Sequence, residues 1–171
     1  PPFVAGESPY FLSVNRNKRS IVIDLKHPEG ARLARDLAAR ADVLVTNFRP
    51  SAMHRLGLDE PTLRALNPRL IYCQVTGYGP RGPWADVPAF DQVAQGMSGL
   101  MSVTGKPESG PVRVGIAIAD ILAALFATYG VLAALYERER SGVGQRVDTS
   151  LLGAVIGVLT FQAGRYLADG S

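Results

Sequence analysis

Asp120 is the only charged residue within residues 114–136, a run otherwise built from Ala, Ile, Leu, Val, Gly, Phe, Tyr and Thr. An ionised carboxylate is costly to bury without partners, so it neutralises, turns to solvent, or is kept because a reaction depends on it. The chemistry open to it is nucleophilic attack on an activated carbonyl, or proton exchange. An Asp near a helix start is also a common cap or first-turn charge facing the positive end of the helix dipole. The roles are compatible, because a helix N-terminus favours the ionised form that a nucleophile needs. Gly115, Ala117, Ala119, Ala123 and Ala124 surround Asp120 with small side chains. They leave room either for a substrate or for close helix packing.

Other candidates follow apolar strands. Lys26 comes after residues 19–25, a β-branched run read as a first strand, and Asn47, Phe48 and Arg49 come after residues 42–46, read as a second. A cation, an amide and an aromatic at neighbouring strand ends suit a phosphate and a purine ring. The elements that must position them alternate. A helix is expected from Pro28 to about residue 41, helical turns at residues 51–56 and 60–66, and a third strand at residues 70–76. This βαβαβ order, with near-continuous apolar strands, predicts an α/β fold with a Rossmann-like parallel sheet and flanking helices. Residues 77–84 hold five Gly and Pro and read as loop. A helix is expected from residue 90 or 91 to about 100, a long one carrying Asp120 to about 140, then turn plus strand at 142–149 and a last apolar helix from Ser150. Ligands of such sheets bind beyond the carboxyl ends of the strands. No GxGxxG or GxxxxGK[ST] opens any of these helices.

Composition sets the bounds. The 171 residues, 47% hydrophobic and 19% charged, are enough for one sizeable core. The net charge of +3 is dispersed, mostly on Arg, which suits a small phosphorylated ligand and argues against nucleic acid. Cys73 is the sole cysteine, so no intrachain disulfide forms and a cytoplasmic setting is expected. His27 and His54 lie apart from any Cys or carboxylate cluster and read as surface residues, with no metal site expected. Residues 114–136 are long enough to span a bilayer, but Asp120 and the abundance of Ala and Gly favour a buried helix of a soluble fold, with no membrane partner. The opening Pro1-Pro2-Phe3-Val4 reads like the interior of a longer protein.

Several motifs resemble the family III CoA-transferases of the CaiB/BaiF and formyl-CoA transferase type. They are Asn15-Arg-Asn-Lys-Arg-Ser-Ile-Val-Ile-Asp-Leu-Lys26, Asp42-Val-Leu-Val-Thr-Asn-Phe48 leading to Arg55-Leu-Gly57, Gly77-Tyr-Gly79, Ala119-Asp120, and Gly142-Val-Gly-Gln-Arg-Val-Asp148. The resemblance implies that Asp120 attacks an acyl-CoA thioester to give a mixed anhydride, then forms an aspartyl-CoA thioester that an incoming carboxylic acid opens. Acyl-CoA and carboxylic acid are then the substrates, with no prosthetic group. By motif matching, Ile23, Asp24, Leu25 and Lys26, then Asn47, Phe48 and Arg49, and Arg55 correspond to stretches contacting adenine, ribose and phosphates. Lys18 and Arg19 join them by charge. Pro88, Ala89, Phe90 and Asp91 match a segment lining the pantetheine channel, although Pro88 departs from the family's pattern there.

The resemblance also implies that residues 1–171 are a CoA-binding and catalytic large domain, about half of a family subunit, from an intertwined homodimer. The related α-methylacyl-CoA racemases use a His–Asp pair, and the place of that His is taken by Phe90, which cannot exchange a proton. A non-catalytic CoA-binding module is the other alternative and would not need Asp120. The segment around Tyr10-Phe-Leu-Ser-Val-Asn-Arg-Asn-Lys18 looks most like members acting on dicarboxylic acids.

Overall fold

The computed structural model describes residues 3–170; Pro1, Pro2 and Ser171 lie outside the described residues. Three parallel strands make one sheet in the order β1 (Val43–Thr46), β2 (Ile71–Thr76), β3 (Arg146–Ser150). Val43 stands opposite Ile71, and Tyr72 opposite Arg146. β2 is central and its first four residues are almost wholly buried, which is why it reads as a near-continuous apolar run interrupted only by Gln74 and Thr76. Between β1 and β2 lie α3 (Pro50–Arg55) and α4 (Glu60–Leu66); α2 (Pro28–Ala38) precedes β1 and short α1 (Pro9–Val14) precedes that. After β2 come α5 (Asp91–Met97) and α6 (Ile118–Ser141), and after β3 come α7 (Leu151–Val158) and α8 (Phe161–Asp169).

The expected first strand is absent, which corrects the βαβαβ reading. Residues 19–25 run without ladder hydrogen bonds, and Val22 is 97% exposed. β-branched residues make a strand only beside a partner backbone, and these residues have none. They end in a turn in which Asp24 accepts the Lys26 N–H through Oδ1 and the His27 N–H through its carbonyl. The third place in the sheet goes to β3, whose polar residues Arg146 and Asp148 pair with each other. His27 is also more than a surface residue: its Nδ1 accepts the Glu29 N–H and caps α2.

Alternation along β2 sends Tyr72 to one face, with Leu63, Leu70, Met53 and Ala38, and Val75 to the other, with Ala119, Ala123, Leu151 and Val155. On that second face α6 lies very close. Ala123, Ala127, Gly130 and Ala134 recur at helical spacing, and a Cβ on Gly130 would fall 2.6 Å from Val147 Cγ1. Ala119 and Ala123 are therefore packing residues, whereas Ala124 stays exposed on the flank of the helix. Its opposite face exposes Ile121, Leu125, Tyr129, Leu132 and Tyr136, so that by length and composition alone α6 would suffice to cross a membrane.

The far end of α6 is fixed by a buried guanidinium. Arg138, with a side chain 8% exposed, donates to the carbonyls of Asp42 and Arg69 and to the Asp42 carboxylate at 2.9 Å. It thus ties α6 to the starts of β1 and β2. Arg138→Met should cost about 2–3 kcal/mol, since buried carbonyls lose charged donors, and should appear as a lower urea midpoint at unchanged m.

Candidate functional site

A cavity of about 930 Å³ opens beside α6, against the face of β1 and β2 that α6 leaves uncovered. Val45, Cys73 and Val75 line it from the strands, Ala124 and Ala127 from α6, Ala85 and Val87 to Phe90 from the loop before α5, and Asp91 from the start of α5. Cys73 is fully buried, and burial, then Asp148, pushes its thiol upward, so it supplies no ready thiolate.

Asn47 and Arg49 enter this cavity from the loop after β1. The loop is held at both backbone groups of Phe48: its N–H goes to Thr46 Oγ1 at 3.1 Å, and its carbonyl accepts from Gln74 Nε2 at 3.0 Å. Gln74 is buried on β2 and receives Arg146 on its own oxygen at 2.9 Å. Asp86 closes the next turn by accepting the Ser51 N–H at 3.2 Å. Hydrogen bonding from Ser51, then the nearby charges of Arg49 and Arg55, holds its carboxyl below the ordinary range. Asp86 therefore shares the field of the two arginines.

Asp120 occupies the first turn of α6, whose N-cap position is Ala117 without a side-chain cap, and the carboxylate that meets an open N–H there is Asp91 from α5. Oδ1 of Asp91 accepts the Ala119 N–H at 2.8 Å, and Oδ2 accepts Gln95 Nε2 at 2.7 Å. Gln95, 0% exposed, also donates to the Ile116 carbonyl at 3.3 Å and accepts the Val114 N–H at 2.8 Å. One buried amide thus joins α5, the approach to α6 and the Asp91 carboxylate. Among the described residues the Asp120 carboxylate has no hydrogen-bond or ion-pair partner. Desolvation at the cavity wall, then the negative charge of Asp91, raises its pKa above the ordinary 3.8. The shift is opposite to the one expected from the helix dipole, because partial desolvation of an otherwise exposed side chain, with a like charge nearby, outweighs it here.

Asp120 also stands between two spaces. A second, more open hollow of about 530 Å³ adjoins the first and shares Phe90, Asp91 and Asp120 with it. A carboxylate that lines both hollows, unpaired and pushed upward, is equipped for attack or proton exchange rather than for capping.

Of the residues singled out from sequence, Asn47, Arg49, Pro88, Ala89, Phe90, Asp91 and Asp120 line the larger cavity. Lys18, Arg19, Ile23, Asp24, Leu25, Lys26, Phe48 and Arg55 do not. Lys18 Nζ is engaged with the Val14 carbonyl and Asn15. Leu25 packs against the core beneath α2, and Ile23 approaches α2 at Gly30. Gln95 and Gln74 escaped the sequence reading, although Gln95 stands four residues after Asp91, the spacing at which helical side chains meet.

The sequence matches the CoA-transferase family III model over residues 1–171. It is 46% identical to a succinate–glutarate CoA-transferase of Agrobacterium fabrum, over 99% of this chain and 44% of that protein. It is 42% identical to an acetyl-CoA:oxalate CoA-transferase of Acetobacter aceti, over 92% of this chain and 41% of that protein. A crystal structure of a CaiB/BaiF family protein from Brucella suis superposes with a TM-score of 0.93 at 44% identity, covering 98% of this chain and 45% of that one. The chain spans less than half the length of the curated relatives it matches.

Proposed function

Because the chain belongs to CoA-transferase family III, we propose that it moves CoA from an acyl-CoA donor to a carboxylic acid through Asp120. The observation carrying this is an unpaired carboxylate, raised in pKa, at the junction of two cavities. Asp120 attacks the thioester carbonyl; the C–S bond breaks, giving an aspartyl–acyl anhydride and CoA thiolate. The thiolate attacks the aspartyl carbonyl and releases the donor acid, leaving an aspartyl-CoA thioester. The acceptor carboxylate opens that thioester to a second anhydride, and the thiolate takes the acceptor acyl group, freeing Asp120. Each intermediate is as activated as the one before, so little driving force is lost.

The acceptor class is a dicarboxylate, in keeping with relatives named for glutarate and oxalate. Phe90, where the racemase chemistry needs a histidine, favours transfer over racemisation. Residues 1–171 act as the CoA-binding and catalytic domain of a cytoplasmic homodimer, with the exposed α6 face covered by further chain or by the partner subunit. Asn47 and Arg49 hold the nucleotide end of CoA, with Arg55, Lys26 and Arg19 around the phosphates, and Pro88 to Asp91 flank the pantetheine arm.

Free CoA should raise the Tm of the full-length protein. Arg49→Ala should weaken CoA about tenfold through loss of a charge-assisted phosphate contact, and Arg55→Ala by less, since it stands outside the cavity. Unchanged CoA affinity in both variants would remove the phosphate site from the strand ends.

A further inference from the structure

The smaller cavity has its own chemistry. Phe90, Val93 and Ile116 give it apolar walls, while Asp91 and Asp120 present two carboxylates. Arg113 is the only Lys or Arg in its lining. Arg113 is exposed, and among the described residues it forms no hydrogen bond, ion pair or ring contact. Its segment is nonetheless held firmly. The next residue, Val114, gives its N–H to Gln95 at 2.8 Å, and the Ile116 carbonyl accepts from the same amide at 3.3 Å. Gln95 thereby fixes the wall carrying Arg113 relative to Asp91 and to the helix start bearing Asp120.

An anion entering between two carboxylates is repelled unless a cation answers it, and a guanidinium matches a carboxylate with two parallel hydrogen bonds. The apolar side chains of this open hollow suit methylene groups, and its size does not exclude a short diacid. We propose that this cavity seats the acyl part of a dicarboxylic acid, its reacting carboxyl at Asp120 and its far carboxylate on Arg113. The proposal rests on the CoA-transfer reading of Asp120 and assigns the acid and the CoA to the two hollows that meet at that residue.

The test uses the full-length protein and two acids of equal length, glutarate and pentanoate, which differ in the far carboxylate. Titration calorimetry reads binding, and a separate assay reads transfer from butyryl-CoA. Wild type should bind glutarate at least tenfold more tightly than pentanoate, and Arg113→Ala should erase that preference. The ratio of kcat/KM for glutarate over pentanoate should fall on the order of 100-fold, with most of the change in KM. Arg113→Lys should restore part of the preference. Equal binding of both acids by wild type, or a preference that survives Arg113→Ala, would overturn the assignment. Absence of transfer to any acid by wild type would overturn the transfer reading alone, because the binding preference is judged without turnover.

Discussion

Asp120→Asn in the full-length enzyme should lower CoA transfer by about 10⁴-fold or more while CoA still binds, because the amide keeps the size of the side chain but not its anionic nucleophile. Hydroxylamine added during wild-type turnover should convert Asp120 to a hydroxamate, which peptide mass spectrometry detects; a resting carboxylate does not react. The same variant carries a stability signature. Because the folded-state pKa of Asp120 is raised by desolvation and then by Asp91, the folded protein holds this proton more tightly than the unfolded chain. Its ionisation therefore opposes folding as pH rises from the ordinary aspartate range through the raised value, and this cost is absent below that range. Asp120→Asn should accordingly melt higher than wild type at neutral pH, with the gap closing under acid. Near-normal transfer with no adduct on Asp120 would move the search for a nucleophile to Asp91.

The second large effect is expected at Gln95. Gln95→Leu leaves the Val114 N–H, the Ile116 carbonyl and one oxygen of Asp91 without their partner. These groups are only partly buried and water can reach some of them, so a loss of about 1–3 kcal/mol and at least a 100-fold fall in kcat are expected. Gln95→Glu separates positioning from simple instability. It keeps an acceptor for Val114 but sets another acidic group against Asp91, so the acid limb of the kcat/KM profile should move to higher pH. An unmoved profile in a folded, active Gln95→Glu enzyme would reduce Gln95 to a packing residue.

Asp120 stood out in the sequence because a lone charge in an apolar run is visible without coordinates, and α4 and β2 were legible from periodicity and β-branched content. The strand expected at residues 19–25 failed for the opposite reason. A strand is a property of two backbones, and one run of Ile and Val does not reveal whether a neighbour exists. β3 was anticipated as a strand but not as the neighbour of β2, since Arg146 and Asp148 mask it among surface residues. The sign of the Asp120 shift was likewise out of reach, because it depends first on desolvation at the cavity wall and then on Asp91, 29 positions earlier in sequence, which its own bond to Ala119 holds nearby. Gln95 was hidden by type: nothing in a single sequence distinguishes a buried glutamine with satisfied hydrogen bonds from a solvated one.

The strand order also has a consequence during synthesis. β2 sits between β1 and β3, yet β3 follows it by about 70 residues. At about 5–20 residues per second, the apolar central strand emerges from the ribosome some 4–14 s before the strand that closes its second edge. For that interval the nascent chain displays an open row of backbone donors and acceptors beside Ile71, Tyr72 and Cys73. A holding chaperone that recognises extended apolar segments would find its target there, and the yield of soluble protein would depend on how quickly α6 and β3 arrive to cover it.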